Sequence, residues 1–138
     1  MTWNAAARVT TAWAVGMILG AVPIAAAAQD DLAAAGEKIF KRCAACHMIG
    51  PDAKNRVGPE LNGVIGRTAG TLEGFSYSPA MVKAGEGGLV WSDETLHTYL
   101  ENPKALVPGT RMAFAGLKKP EERDAVIAYI EQASGAGG

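Results

Sequence analysis

From residue 36 onward the apolar positions fall at helical spacing, and the polar residues between them mark where each helix begins and ends. Gly36, Ile39, Phe40 and Cys43 recur at i, i+3, i+4 and i+7, which places them on one helix face, so a first helix is predicted to run into the pair Cys43 and Cys46. Ser92, followed by acidic Asp93 and Glu94 and then by Leu96, Tyr99 and Leu100 on one face, predicts a second. Asn102 before Pro103 stops it, because a residue preceding proline is driven out of the α region. A third starts after Pro120 with Glu121 and Glu122 in its first turn and continues through Val126, Ile127, Tyr129 and Ile130. It is expected to fray near Gly135, with a disordered tail from about residue 134. The connections are long and broken by glycine and proline, from Gly50-Pro51 and Gly58-Pro59 to Pro108-Gly109. No period-2 strand and no internal repeat is evident.

The pattern before residue 36 is different. Residues 1–28 contain no Asp, Glu or Lys, carry a single cation at Arg8, and run apolar from Ala12 through Ala28. That is the layout of a signal peptide, and Ala26-Ala27-Ala28 offers a small-residue cleavage site before Gln29. An uncleaved membrane anchor competes with it, but an Ala-rich run of 17 residues is at the short edge of what spans a bilayer. The expected mature chain, residues 29–138, is therefore an exported, single-domain protein of the periplasm or its equivalent.

Composition then sets a problem. After residue 28 only seven aromatic residues and three methionines remain to build a core for three modest helices and several long loops. Loops of more than about 12 residues are uncommon in a compact domain unless something organises them, and a large bound cofactor would. Two cysteines are too few for a disulfide framework, and 13 cations against 14 anions give no whole-chain case for nucleic acid.

Both cysteines lie in Cys43-Ala44-Ala45-Cys46-His47, a C-x-x-C-H motif. Two thiols one helical turn apart can add to the two vinyl groups of a haem, and the adjacent imidazole is then held under the iron. A thioredoxin-type dithiol would need a βαβ setting that this helical, Gly-rich chain does not offer. A zinc site from Cys43, Cys46, His47 and His97 would use neighbouring residues as two tetrahedral ligands, an awkward geometry, and a coincidental pair of buried structural thiols is the remaining alternative. In an exported chain the motif favours haem c, one group, bound through Cys43 and Cys46. For the remaining iron position the later methionines are Met48, Met81 and Met112. Met48 adjoins His47 and cannot reach the other haem face. Met112, in the rigid segment 108–112, is suited to wrap over it, while spacing alone leaves Met81 open.

On these residues the chain resembles a class I cytochrome c, the small type shared by mitochondria and bacterial periplasm. The stretches that carry the resemblance are residues 36–40, the haem motif, 57–61, Gly66-Arg67, 74–78, Trp91, 99–104, 108–112 and 127–129. The resemblance implies an all-α cytochrome c fold, three main helices and Gly/Pro-rich loops wrapped around one covalently bound haem. It implies His47 and Met112 as axial ligands, with the Pro59 carbonyl orienting His47. Arg67, Tyr77 and Trp91 match the propionate-binding group, Tyr99 and Thr110 lie near the methionine ligand, and Phe114 lies near the haem edge. Gly36 and Phe40 are expected to cross Val126 and Tyr129, whereas His97 is expected to face solvent. Met81 departs from the family, which often has a polar residue there, and residues 84–88 are a few residues longer than the mitochondrial form.

The function implied is non-enzymatic: a monomeric periplasmic electron carrier between membrane redox complexes. These would be a quinol-cytochrome c oxidoreductase as donor and a cytochrome oxidase or photosynthetic reaction centre as acceptor. A dedicated acceptor of one periplasmic dehydrogenase is an alternative. So is a haem peroxidase or gas-binding protein with a labile sixth ligand, against which the Met112 segment speaks. Charge adds a docking expectation. Segments 36–56 and 102–119 together carry nine cations against two anions, although residues 29–138 as a whole have net charge −2. In the resembled fold they border the haem edge, so Lys38, Lys41, Lys104, Arg111, Lys118 and Lys119 are expected to meet the partner.

Overall fold

The computed structural model describes residues 24–135, which form five helices and, among the described residues, no strand. The expected leader lies outside them up to residue 23, as does the tail beyond residue 135. The helices are α1 (Ile24–Phe40), α2 (Pro79–Glu86), α3 (Asp93–Glu101), α4 (Pro103–Leu106) and α5 (Pro120–Gly135).

Three of these answer to helices expected from the sequence, although α1 begins at Ile24, well before the predicted start at Gly36, and ends at Phe40, short of Cys43. At α3 the Ser92 side chain accepts from the Thr95 N–H while the Thr95 hydroxyl meets the Ser92 N–H, so two otherwise orphaned donors are satisfied reciprocally. The other two helices were expected as loop. In α2, Ser78 caps by accepting from the Met81 N–H and Pro79 occupies the first turn. Its eight residues are too few to display a period, and Gly85 interrupts them. Asn102-Pro103 does end α3, yet Pro103 also opens α4, a single turn closed by Val107 N–H on the Pro103 carbonyl at 2.9 Å. The long middle connection gains order from one antiparallel bridge, Thr68 with Val90, flanked by Trp91 N–H to Arg67 carbonyl at 2.9 Å.

Packing centres on the crossing of α1 and α5. Phe40 and Tyr129 meet with ring centroids 5.1 Å apart and planes tilted by 52°, and Val126 and Ile127 are buried in the same core. Gly36 makes the approach possible: a Cβ at that position would run into the Ala125 carbonyl and lie 2.8 Å from the Tyr129 Cβ. The crossing also carries an exposed pair, Arg42 with Glu122 at 3.5 Å, which contributes little by itself.

Replacing Gly36 by Ala is therefore expected to force the two helices apart and to destabilise the protein by about 1–3 kcal/mol, the usual cost of overpacking. Urea titration of the cofactor-loaded protein measures it, and an unchanged midpoint would show that the crossing yields without strain.

Candidate cofactor site

The backbone does not straighten when α1 ends at Phe40. Cys43 and Ala44 N–H groups return to the Phe40 carbonyl at 2.7 and 2.9 Å, and Cys46 and His47 N–H groups return to the Cys43 carbonyl at 3.0 and 2.9 Å. These turns put both thiols and the imidazole against one cavity. Both thiols are free, and burial pushes the Cys43 thiol above its ordinary pKa, with the Arg42 charge pulling the other way and Cys46 adding to the rise.

His47 is held from its far side. Its Nδ1 lies 2.7 Å from the Pro59 carbonyl, an acceptor only, so Nδ1 carries the proton and Nε2 keeps its lone pair. Burial lowers the pKa of this imidazole, opposed by the Pro59 bond. Gly58 lets the loop lie flat on the ring: a Cβ there would be 2.5 Å from Cε1 and 2.8 Å from Nδ1.

The cavity measures about 590 Å³. Leu96 and Leu100 of α3, Val126 and Ile130 of α5, and Leu61 and Val64 of the middle loop give it apolar walls. Its polar side chains gather in two groups. Arg67 and Trp91 are joined through their backbones, and Tyr77 feels the Arg67 charge, although burial wins and pushes the Tyr77 hydroxyl upward. Around Met112 a second group forms: Thr110 Oγ1 accepts the Met112 N–H at 3.3 Å, and the Tyr99 hydroxyl is 3.2 Å from Thr110 Oγ1 and 3.9 Å from the Met112 sulfur. Burial likewise raises the Tyr99 hydroxyl, with the Thr110 bond opposing.

All ten residues singled out in the sequence line this one cavity: Cys43, Cys46, His47, Pro59, Arg67, Tyr77, Trp91, Tyr99, Thr110 and Met112. Phe114 lines it as well, with the Arg42 guanidinium 5.7 Å above its ring. Met81 is buried in the wall, whereas Met48 faces a separate depression beside Phe40 and Tyr129. His97 stays off the cavity and partly exposed, its side chain 32% accessible, but it is fastened to neighbours instead of standing free in solvent. Buried Arg123 donates from Nε to His97 Nδ1 at 3.3 Å, and His97 Nε2 is 3.1 Å from Asp124. A partner 26 positions away on another helix leaves no trace in helical spacing. Asn55 was not anticipated at the cavity, and its place just before Val57-Gly58-Pro59 was the available signal.

The chemistry of these donors fits a haem: two thiols on one turn, an imidazole whose free nitrogen is Nε2, a hydrogen-bonded thioether, apolar walls, and donors for acidic groups.

A family model described as Cytochrome c matches residues 33–134. The chain is similar to "Cytochrome c2" of Afifella marina, 61% identical over 101 residues that cover 73% of this chain and 82% of the relative. It is 48% identical to "Cytochrome c2" of Blastochloris viridis over 122 residues, 88% and 93% of the two chains. Its structure is similar to that of cytochrome c2 from Rhodospirillum centenum, with a TM-score of 0.70 and 45% identity over 72% of this chain and 96% of that one.

Gly58→Ala is expected to push the imidazole off the Pro59 carbonyl. The hydrogen-bonded ring N–H of His47 should then disappear from the NMR spectrum and the urea midpoint should fall; survival of both would mean that the loop moves aside freely.

Proposed function

The chain belongs to the cytochrome c family, and from that premise we propose that it carries single electrons through the periplasm, from a quinol-oxidising membrane complex to a terminal oxidase or photosynthetic reaction centre. It is an electron-transfer protein and not an enzyme, with one haem c bound covalently through Cys43 and Cys46. The observation that carries the reading is the convergence of the C-x-x-C-H turn, a His47 with its Nδ1 already occupied, and a hydrogen-bonded Met112 on one apolar cavity.

The haem, when bound, supplies a site that takes up and releases one electron. Every other part of the task falls to this chain. His47 through Nε2 and Met112 through its sulfur are the two ligands of this reading, the first oriented by Pro59, the second by Tyr99 and Thr110. Leu96, Leu100, Val126 and Ile130 exclude water, which favours the less charged redox state and raises the potential. Arg67, Tyr77 and Trp91 supply donors for the propionates, since buried carboxylates require partners. The oriented ligands stay in place as charge changes, so little rearrangement opposes the electron's movement.

Export with cleavage near Ala28/Gln29 brings this carrier to the periplasm, and the charge map provides the docking face. Lys38, Lys41, Lys104, Arg111, Lys118 and Lys119 are all exposed, and Arg42, Arg56 and Arg111 border the cavity itself. Such a face steers an acidic partner toward the cofactor edge and is screened over about 10 Å in 0.1 M salt.

Electron transfer to the isolated acceptor complex should slow as ionic strength rises. At low salt Lys104→Glu or Arg111→Glu should cut the association rate roughly tenfold, within the range seen among variants of one interface. Lys83→Glu, on α2, should have little effect. Stopped-flow kinetics gives the comparison; equal effects from all three, or a rate indifferent to salt, would overturn the docking face.

A further inference from the structure

Two side chains grip the same peptide group from its opposite ends. The carbonyl of Pro59 accepts the Nδ1–H of His47 at 2.7 Å, and the N–H of Glu60 donates to Oδ1 of Asn55 at 3.0 Å. Those C=O and N–H groups belong to one planar amide, in which fixing one end fixes the direction of the other. Oδ1 is the only Asn55 atom that can accept there, since its NH₂ only donates. An acceptor on the N–H end also polarises the amide, and so makes its carbonyl a stronger acceptor, because hydrogen bonds in a chain reinforce one another.

We propose that Asn55 is a positioning residue for His47, acting through the Pro59–Glu60 amide to set both the orientation of the imidazole and the strength of its Nδ1–H bond. The inference rests on His47 being the axial ligand. A stronger Nδ1–H bond makes Nε2 a more basic donor, which favours the more highly charged iron and lowers the potential; a weaker one raises it.

The same loop has other fastenings that do not touch this amide. Asn62 clasps Gly50 twice, accepting its N–H and donating to its carbonyl, both at 2.8 Å, and Asn62 N–H donates to the Glu60 carboxylate at 2.7 Å. Arg67 donates to the Asn62 carbonyl at 3.0 Å. These bonds give the loop its shape, whereas Asn55 alone among them reaches the group that touches His47. Asn55 also lines the cavity and is half-buried there.

The haem-loaded full chain is compared with Asn55→Leu, Asn55→Asp and the loop control Asn62→Ala, reading the midpoint potential and the NMR position of the His47 ring N–H in the reduced state. Asn55→Leu should move that proton upfield and raise the potential. Asn55→Asp, a stronger acceptor, should move it downfield and lower the potential. Asn62→Ala should lower the urea midpoint and move neither. Leu and Asp variants shifting the ring proton in the same direction, or Asn62→Ala shifting it as far as Asn55→Leu, would overturn the proposal. If Asn55→Leu does not assemble, an unchanged ring proton in Asn55→Asp overturns it alone. A parent protein whose His47 ring protons lack the ring-current shift of a bound ligand would refute the ligand reading itself, a result separable from all of these.

Discussion

Side chains from α3, α5 and the middle loop converge on an apolar cavity of about 590 Å³ at whose edge α1 delivers two thiols and an imidazole within five residues. With so few aromatic side chains of its own, the chain cannot close a dense core there, and dense packing is what a folded interior requires. A covalently attached haem supplies the missing apolar mass, and its attachment at Cys43 and Cys46 means that the folded core cannot be lost by dissociation. The helices are therefore short and the loops long because both are shaped to a cofactor instead of to each other. The exception is the α1–α5 crossing, where Gly36 allows direct helix-to-helix packing and so holds the cysteine-bearing turn in place.

Polar groups in this interior are few, and each has a partner: among the described residues no buried side-chain nitrogen or oxygen lacks one. His47 is fastened to Pro59, Met112 to Thr110 and Tyr99, and the loop between Gly50 and Arg67 to itself through Asn55, Glu60 and Asn62. In a medium of low dielectric such bonds are strong, and breaking one leaves a costly orphan. The groups beside the electron's resting place are thus held by short-range bonds, while the proposed docking face works by long-range charge on Lys104, Arg111 and their neighbours.

The three longer helices and the cofactor motif were legible because each is local. Ser92 with its acidic first turn and the 3.6-residue spacing of Leu96, Tyr99 and Leu100 announce α3 in nine residues, and C-x-x-C-H lies within five. Members of the cavity far apart in sequence, such as Arg67, Trp91 and Met112, carry no mutual signal, and it was resemblance to a family that collected them. The short helices α2 and α4 were missed because eight and four residues cannot display a period, and a proline at the start of each looks the same as a turn. The partners of His97 were hidden for a related reason: helical spacing places it off the apolar face, where it remains partly exposed, but does not say that a buried Arg123 from α5 needs an acceptor there. Asn55 shows the limit from the other side, since its importance comes from a backbone amide shared with His47 and no residue-type pattern encodes that.

The central claim is that the cavity holds its haem between His47 and Met112. It is tested most directly by the near-infrared absorption of the oxidised protein, where a sulfur-to-iron charge-transfer band reports a thioether ligand. The band should be present in the parent, absent in Met112→Ala and retained in Met81→Ala. Loss of the band in Met81→Ala with its persistence in Met112→Ala would contradict the account.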